Sequence, residues 1–255
     1  MYRIDLNSDI GELEGRDARL NDRKLMEFIS SANVACGAHA GSPEIMRSTV
    51  LAAKETGTAI GAHPGFPDRE NFGRTNMVMS TDEIKKLVKD QILALKEMAE
   101  AEGLKLQHVK PHGALYNMSA KDPAMARAIA EAIYETDKDL IFMGLSASEH
   151  IKAAAEAGLR SVSEVFGDRA YMDDGSLVPR TMEGAVIHDP DLVIGRVLRM
   201  IKEGKVESIN GKDIPISAGS VCVHGDTPEA LEFLSEIAAA LREEGIEVRC
   251  PGRQL

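Results

Sequence analysis

The sequence predicts an α/β fold of parallel strands joined by helical crossovers, and three observations carry that prediction. Short apolar segments alternate with amphipathic stretches of helical length about seven times along 255 residues. The apolar segments end repeatedly in glycine, proline and histidine, as in Ala59-Ile60-Gly61-Ala62-His63-Pro64-Gly65, His108-Val109-Lys110-Pro111-His112-Gly113 and Val221-Cys222-Val223-His224-Gly225-Asp226. No low-complexity linker or break in composition separates the units, so one domain over residues 1–255 is expected.

The first strand is the alternating segment 2–6, which passes into a loop at Asn7-Ser8-Asp9-Ile10-Gly11-Glu12. Asp5, Asn7 and Asp9 share one parity. If the extended backbone continues that far, three oxygen-bearing side chains point the same way, suited to a substrate amine, a cation or a lysine; Asx-type turns are the alternative for Asn7 and Ser8. A charged helix near residues 21–30 leads to Ala32-Asn33-Val34-Ala35-Cys36-Gly37-Ala38-His39, a strand ending at a histidine. Ser42 caps the next helix, Pro43 occupies its first turn and Gly57 closes it. His63 then stands at the exit of the third strand. Arg74, in the following loop, offers a planar fork to a carboxylate or phosphate, with a solvated loop arginine as the alternative.

Ile84, Leu87, Val88, Gln91, Ile92, Leu95 and Met98 have helical spacing, with Ser80 or Thr81 as cap and Asp82 and Glu83 in the first turn. The fourth strand contains His108-Val109-Lys110, whose alternation puts His108 and Lys110 on one side. Pro111 ends the pairing and Gly113 permits a turn, so His112 is presented from a stiff loop. A helix over about 122–135 precedes Leu140-Ile141-Phe142-Met143-Gly144-Leu145, an unbroken apolar run of the kind buried on both faces in a barrel or layered sheet. After a helix over about 147–157, Glu164 lies on a sixth strand with Asp168 and Arg169 at its exit. Glu164 is either a general acid or base or the partner of Lys110. Residues 173–190 show no periodicity, as in a loop that covers a site. A helix over about 191–203, an Asn210-Gly211 two-residue hairpin and a final strand ending in His224-Gly225-Asp226 complete the pattern, with Thr227-Pro228 opening the last helix.

A formal net charge of −11 argues against nucleic acid or an anionic membrane as the main partner. No apolar run approaches the roughly 20 residues that span a bilayer, and the first residues lack a signal-peptide core, so a cytoplasmic protein is expected. Cys36, Cys222 and Cys250 are too few and too scattered for a disulfide framework or zinc ribbon, and are expected to be free thiols.

In parallel α/β folds the loops after the strands build the active site on one face. Asp9, His39, His63, Lys110, His112, Glu164, His224 and Asp226 all fall there, a set more suited to an enzyme than to a binding module. Neither a dinucleotide fingerprint nor a P-loop is present, and a Gly-x-Ser-x-Gly elbow is absent. Asp9, His39 and His63 can form a facial site of one carboxylate and two imidazoles for a divalent metal; acid–base or core histidines are the alternative.

The blocks from Asn7 to Glu12, Asn33 to Gly41, Gly61 to Gly65, His108 to Tyr116, Glu164 to Tyr171 and Val223 to Asp226 resemble, in order and nearly end to end, those of the LamB/YcsF family. The resemblance implies a TIM-like (β/α)7 barrel, related to sugar deacetylases and glycosidases. It also implies one component of a bacterial hydrolase that opens 5-oxo-L-proline to L-glutamate, with ATP consumed by a complex containing 5-oxoprolinase subunits B and C. The residues themselves suggest Asp9, His39, His63, Lys110, His112 and Glu164 as catalytic groups, and Asn7, Arg74, Arg169, His224 and Asp226 as substrate contacts. Two other readings are a stand-alone metal-dependent amide or sugar deacetylase-like hydrolase and a non-catalytic sugar- or amide-binding subunit.

Overall fold

The computed structural model describes residues 2–223 and 230–252. His224 and Asp226, two of the expected substrate contacts, lie outside the described residues. Strand β1 (Arg3–Ile10) runs longer than expected, so the alternation of Asp5, Asn7 and Asp9 continues on a true strand. Helix α1 (Arg16–Leu25), strand β2 (Ser31–Ala35), helix α2 (Pro43–Thr56) and strand β3 (Ala59–His63) follow. Ser42 caps α2 by accepting from Ile45 N, and Gly57 ends it at φ 75°. Helix α3 (Thr81–Ala101) opens with a capping box between Ser80 and Glu83 and buries Ile84, Val88, Gln91, Ile92, Leu95 and Ala99.

Strand β4 (Leu106–Val109) leads into α4 (Gly113–Ser119), a short helix where a plain turn was expected. Helix α5 (Pro123–Thr136), strand β5 (Ile141–Leu145), helix α6 (Glu149–Glu156) and strand β6 (Arg160–Phe166) complete the middle units. Beyond helix α7 (Pro190–Glu203), strands β7 (Lys205–Glu207) and β8 (Asp213–Pro215) pair antiparallel. Their connection is five residues rather than two, because Ser208 N donates to Lys212 O and Gly211 N to Ser208 O inside it. Strand β9 (Ser220–Cys222), helix α8 (Ala230–Glu243) and the two-residue strand β10 (Glu247–Val248) end the described chain.

Among the described residues β1, β2, β3, β4, β5, β6 and β9 form a parallel cylinder that closes through pairing of β9 with both β6 and β1. The sheet is therefore a TIM-like (β/α)7 barrel, with β10 appended beside the start of β1. Helices cover its outer face, where strand side chains such as Ile4, Leu6 and Ile10 and helix side chains such as Val88 and Ile92 are buried. All three cysteines are buried free thiols, and among the described residues no helix is long and apolar enough to cross a membrane.

The barrel interior is unusual in being polar, and it is layered. At the bottom, Asp5 Oδ1 accepts from Ser30 Oγ and Ser31 Oγ, each at 2.6 Å, and its second oxygen accepts from Ser220 Oγ. One layer up, Asn7 Nδ2 donates to Glu164 Oε1 at 3.1 Å, Asn33 Nδ2 donates to Asn7 Oδ1 at 2.8 Å, and His108 Nε2 lies 2.8 Å from Asn33 Oδ1. Gly61 makes room for His108, since a Cβ there would stand 2.3 Å from the ring. Interdigitated polar groups of this kind fix register because each slip leaves buried donors unpaired.

Burial pushes the Asp5 carboxyl up to about 6 against the lowering effect of its three serine hydrogen bonds. Its folded value lies above its unfolded one, so ionisation costs stability as the pH rises past about 4, and the cost is complete above about 6. Asp5→Asn removes that titration. Its stability relative to wild type is expected to improve by roughly 2 kcal/mol between about pH 4 and about pH 8, measured by urea unfolding at both values. A difference that stays constant with pH would contradict this account of Asp5.

Candidate functional site

Lys110 follows β4 and reaches the centre of the barrel mouth, where it is 2% exposed. Its Nζ lies 2.9 Å from Asp9 Oδ1 and 2.9 Å from Glu164 Oε1, with Asn7 Oδ1 at 3.3 Å and Cys222 Sγ at 3.1 Å. An ammonium has three protons, and two carboxylates and the Asn7/Cys222 pair engage them all. Burial works against the charge, but Asp9, Cys222 and Glu164 outweigh it and hold the Lys110 value well above its ordinary one. Glu164, the open question of the sequence, is thus the partner of Lys110; its other oxygen accepts from Tyr116 Oη at 2.7 Å.

Beside this ion triad stands a cluster of Glu12, His39, His63 and His112, each offering a donor atom within 4.8 Å of the others. His39 comes from the loop after β2, His63 from the end of β3, and His112 from the N-cap position of α4. His112 N donates to Pro64 O, which ties the β4 loop to the β3 loop. His39 stacks on His112 with centroids 3.7 Å apart and planes 3° from parallel. Two glycines permit that stack: a Cβ on Gly65 would lie 2.6 Å from His39 Nδ1, and one on Gly73 2.7 Å from His39 Cβ. The Gln91 amide holds Gly65 in place through both its N–H and its carbonyl. Phe72 adopts φ 57°, a left-handed conformation rare for an aromatic residue, and its carbonyl faces His112 Nε2 at 2.8 Å.

The Glu12 carboxyl is raised by burial, but its close contacts with His112 and His39 outweigh this and hold it at about 2. Burial pulls His39 down to about 4 and also lowers His112, both against the pull of Glu12. These two imidazoles are therefore neutral near pH 7 while Glu12 is ionised.

A cavity of about 720 Å³ opens above these groups. Asp9, Glu12, His63, Lys110 and His112 line its floor, and Arg74, Lys121, Arg169 and Arg180 line its walls. His39, Glu164 and Asn7 lie behind the lining. The aperiodic segment 173–190 contributes Ser176 through Thr181 to the wall, and Arg169 braces it by donating to Ala185 O and Val178 O. The structure specifies three of the sequence expectations further. Asn7 sits beneath the floor, its amide engaged by Glu164 and Ser220. Arg169 stands on the wall and uses its Nε and Nη2 as a loop brace. The donor cluster contains Glu12 and His112 beside His39 and His63, where Asp9 was expected; Asp9 Oδ1 is bound by Lys110 and by Asn33 Nδ2 at 2.8 Å, and its Oδ2 lies 3.3 Å from His63 Nε2.

Glu12 was missed as a candidate, although it lies in the first motif. It follows Gly11 at φ 75°, a turn that carries the chain off the β1 direction, so strand parity no longer reports where its side chain goes.

A parallel barrel that gathers carboxylates, imidazoles and a buried lysine at the C-terminal ends of its strands has the architecture of a barrel enzyme. The LamB/YcsF family profile matches residues 4–254, and the chain belongs to that family. It is 54% identical over 248 residues, 97% of each chain, to proteins named as the A subunit of 5-oxoprolinase from Alkaliphilus metalliredigens and from Clostridium beijerinckii. Its structure is similar to the crystal structure of the lactam utilization protein from Thermus thermophilus, with a TM-score of 0.89, 44% identity and coverage of 97% of this chain and 99% of that one.

Proposed function

We propose that the chain is the ring-opening component of an ATP-dependent 5-oxoprolinase, its A subunit, which acts with subunits B and C to hydrolyse 5-oxo-L-proline to L-glutamate. The observation that carries this reading is the cavity itself: a floor of ionised and neutral acid–base groups under a wall of four basic side chains, in a chain of net charge −11. The wall suits an anionic substrate, since the free carboxylate of 5-oxoproline meets a local positive field. The names of relatives more than half identical in sequence support the same reading.

Amide resonance makes the lactam carbonyl a poor electrophile, and the small ring re-closes easily because amine and carboxyl are held together. Ring opening therefore needs activation. Phosphorylation of the amide oxygen supplies it, and because this chain has no P-loop motif the ATP step is assigned to the partners. Water then attacks the activated carbon in this cavity, the ring C–N bond breaks as a proton reaches the leaving nitrogen, and a second water cleaves the resulting acyl phosphate to glutamate and inorganic phosphate. Asp9, whose Oδ2 lies 3.3 Å from His63 Nε2, takes the proton of the attacking water. Lys110 steadies Asp9 and, by exchanging one of its contacts, meets the negative charge of the phosphorylated oxygen; the cluster of Glu12, His63 and His112 holds the water.

The test is genetic. A bacterium lacking its own A subunit is expected to lose growth on 5-oxo-L-proline as sole nitrogen source. Expression of this chain should restore growth, and a variant carrying Lys110→Met should not. Rescue by the variant as efficient as by wild type would contradict the assignment.

A further inference from the structure

We propose that Glu12, His63 and His112 form a binding site for one divalent first-row transition-metal cation, with His39 a positioning residue outside the coordination sphere. This deepens the ring-opening reading, on which it rests for the use made of the ion. The geometry of the site is independent of that reading.

Backbone carbonyls fix one nitrogen on each of two imidazoles. His63 Nδ1 is 2.7 Å from Lys110 O, and His112 Nε2 is 2.8 Å from Phe72 O. A carbonyl can only accept, so both of these nitrogens carry protons. The remaining nitrogens, His63 Nε2 and His112 Nδ1, then face each other 2.9 Å apart, lone pair to lone pair. That approach is unfavourable unless something positive lies between them. Glu12 Oε1 completes a triangle, 3.2 Å from His112 Nδ1 and 3.8 Å from His63 Nε2. Ligands at about 2.0–2.1 Å from a tetrahedral ion lie about 3.3 Å from each other, so these three edges bracket the expected spacing. The two rings stand at 85°, which lets both in-plane lone pairs meet at one point.

His39 belongs to the same cluster but is excluded as a co-ligand by its stacking on His112. The lone pair of an imidazole lies in the ring plane, and two parallel planes held apart by stacking cannot both contain an ion about 2 Å from each nitrogen. Instead His39 Nε2 lies 3.3 Å from Glu12 Oε1 and donates to it. Its Nδ1, buried without a partner, is the bare nitrogen of that tautomer, turned against Gly65. Support of a carboxylate ligand by a neighbouring N–H, and of histidine ligands by backbone carbonyls, is how metal sites hold their donors in position. Two imidazoles and a carboxylate, with the cavity giving access to all three, suit zinc or a neighbouring divalent ion and leave coordination positions for water.

The test uses the full-length purified chain, stripped by chelator and titrated with Zn²⁺ and with Co²⁺ while circular dichroism monitors the fold. One equivalent is expected to bind. Glu12→Gln, His63→Asn and His112→Asn are each expected to lose stoichiometric binding. His39→Asn is expected to keep one equivalent with affinity weakened by about 10–100-fold, the usual effect of a lost supporting group. The visible spectrum of the Co²⁺ form reports the ligand set in every variant that folds: it should be retained in His39→Asn and lost in His112→Asn. A folded wild-type chain that binds neither metal, leaving a shared proton alone between His63 and His112, would overturn the proposal. So would loss of binding in His39→Asn with retention in His112→Asn. Reconstitution separates this from the functional reading: glutamate formation by the metal-free assembly would overturn the metal site alone, whereas one bound equivalent without any glutamate would overturn the ring-opening reading alone.

Discussion

Replacing Lys110 by methionine is expected to lower glutamate formation by the assembled enzyme by at least about 10²-fold and to destabilise the fold by about 3 to 5 kcal/mol. The size of the effect follows from where the ammonium sits. It is enclosed by Asp9 and Glu164 at 2.9 Å each, and removal leaves two carboxylates buried without their cation. Breaking one side of such a pair is far more damaging than replacing the whole of it. Adding Glu164→Gln to Lys110→Met removes one orphaned charge, so the double variant is expected to regain part of the lost stability, measured by urea unfolding, while turnover stays low. That separation distinguishes a lysine needed for chemistry from one needed only for folding. Recovery of both together in the double variant, or wild-type turnover in the single one, would contradict the role given to Lys110.

The second large effect is expected at His112. Asparagine is among the preferred residues at a helix N-cap, so His112→Asn preserves the start of α4 while deleting the nitrogen that faces His63. Turnover of the assembled enzyme should fall by about 10²-fold or more, as for a lost catalytic group. The fall should appear in kcat rather than in KM, because the residue acts on the water and not on the bound lactam. A variant that folds and keeps its kcat would remove His112 from the mechanism.

Much of this site was legible in the sequence, for local reasons. Period-two alternation alone places Asp5, Asn7 and Asp9 in the barrel interior, and His108 with Lys110 beside them, because a strand allows no other arrangement once one face is buried. The repeated endings at His39, His63 and His112 mark the C-terminal rim for the same reason. What was hidden depends on contacts distant in sequence. The stack of His39 on His112, which decides which imidazoles can act together, needs the absence of side chains at Gly65 and Gly73. The carbonyl of Phe72 fixes the tautomer of a histidine 40 residues away. Helix α4 escaped notice because its first residues, Gly113-Ala114-Leu115-Tyr116, follow a proline and read as a turn, and β10 because two residues carry no periodicity. Glu12 required both kinds of information: a left-handed glycine before it and two histidines from other loops to meet it.

The central claim is that ring opening takes place in this cavity while ATP is used by partner subunits, and reconstitution from purified components measures it most directly. Incubated alone with ATP, magnesium and 5-oxo-L-proline, the chain is expected to release neither glutamate nor phosphate above background. Addition of the partner subunits should restore both in linked amounts. ATP-dependent glutamate release by the lone chain at the rate of the assembly would contradict the claim.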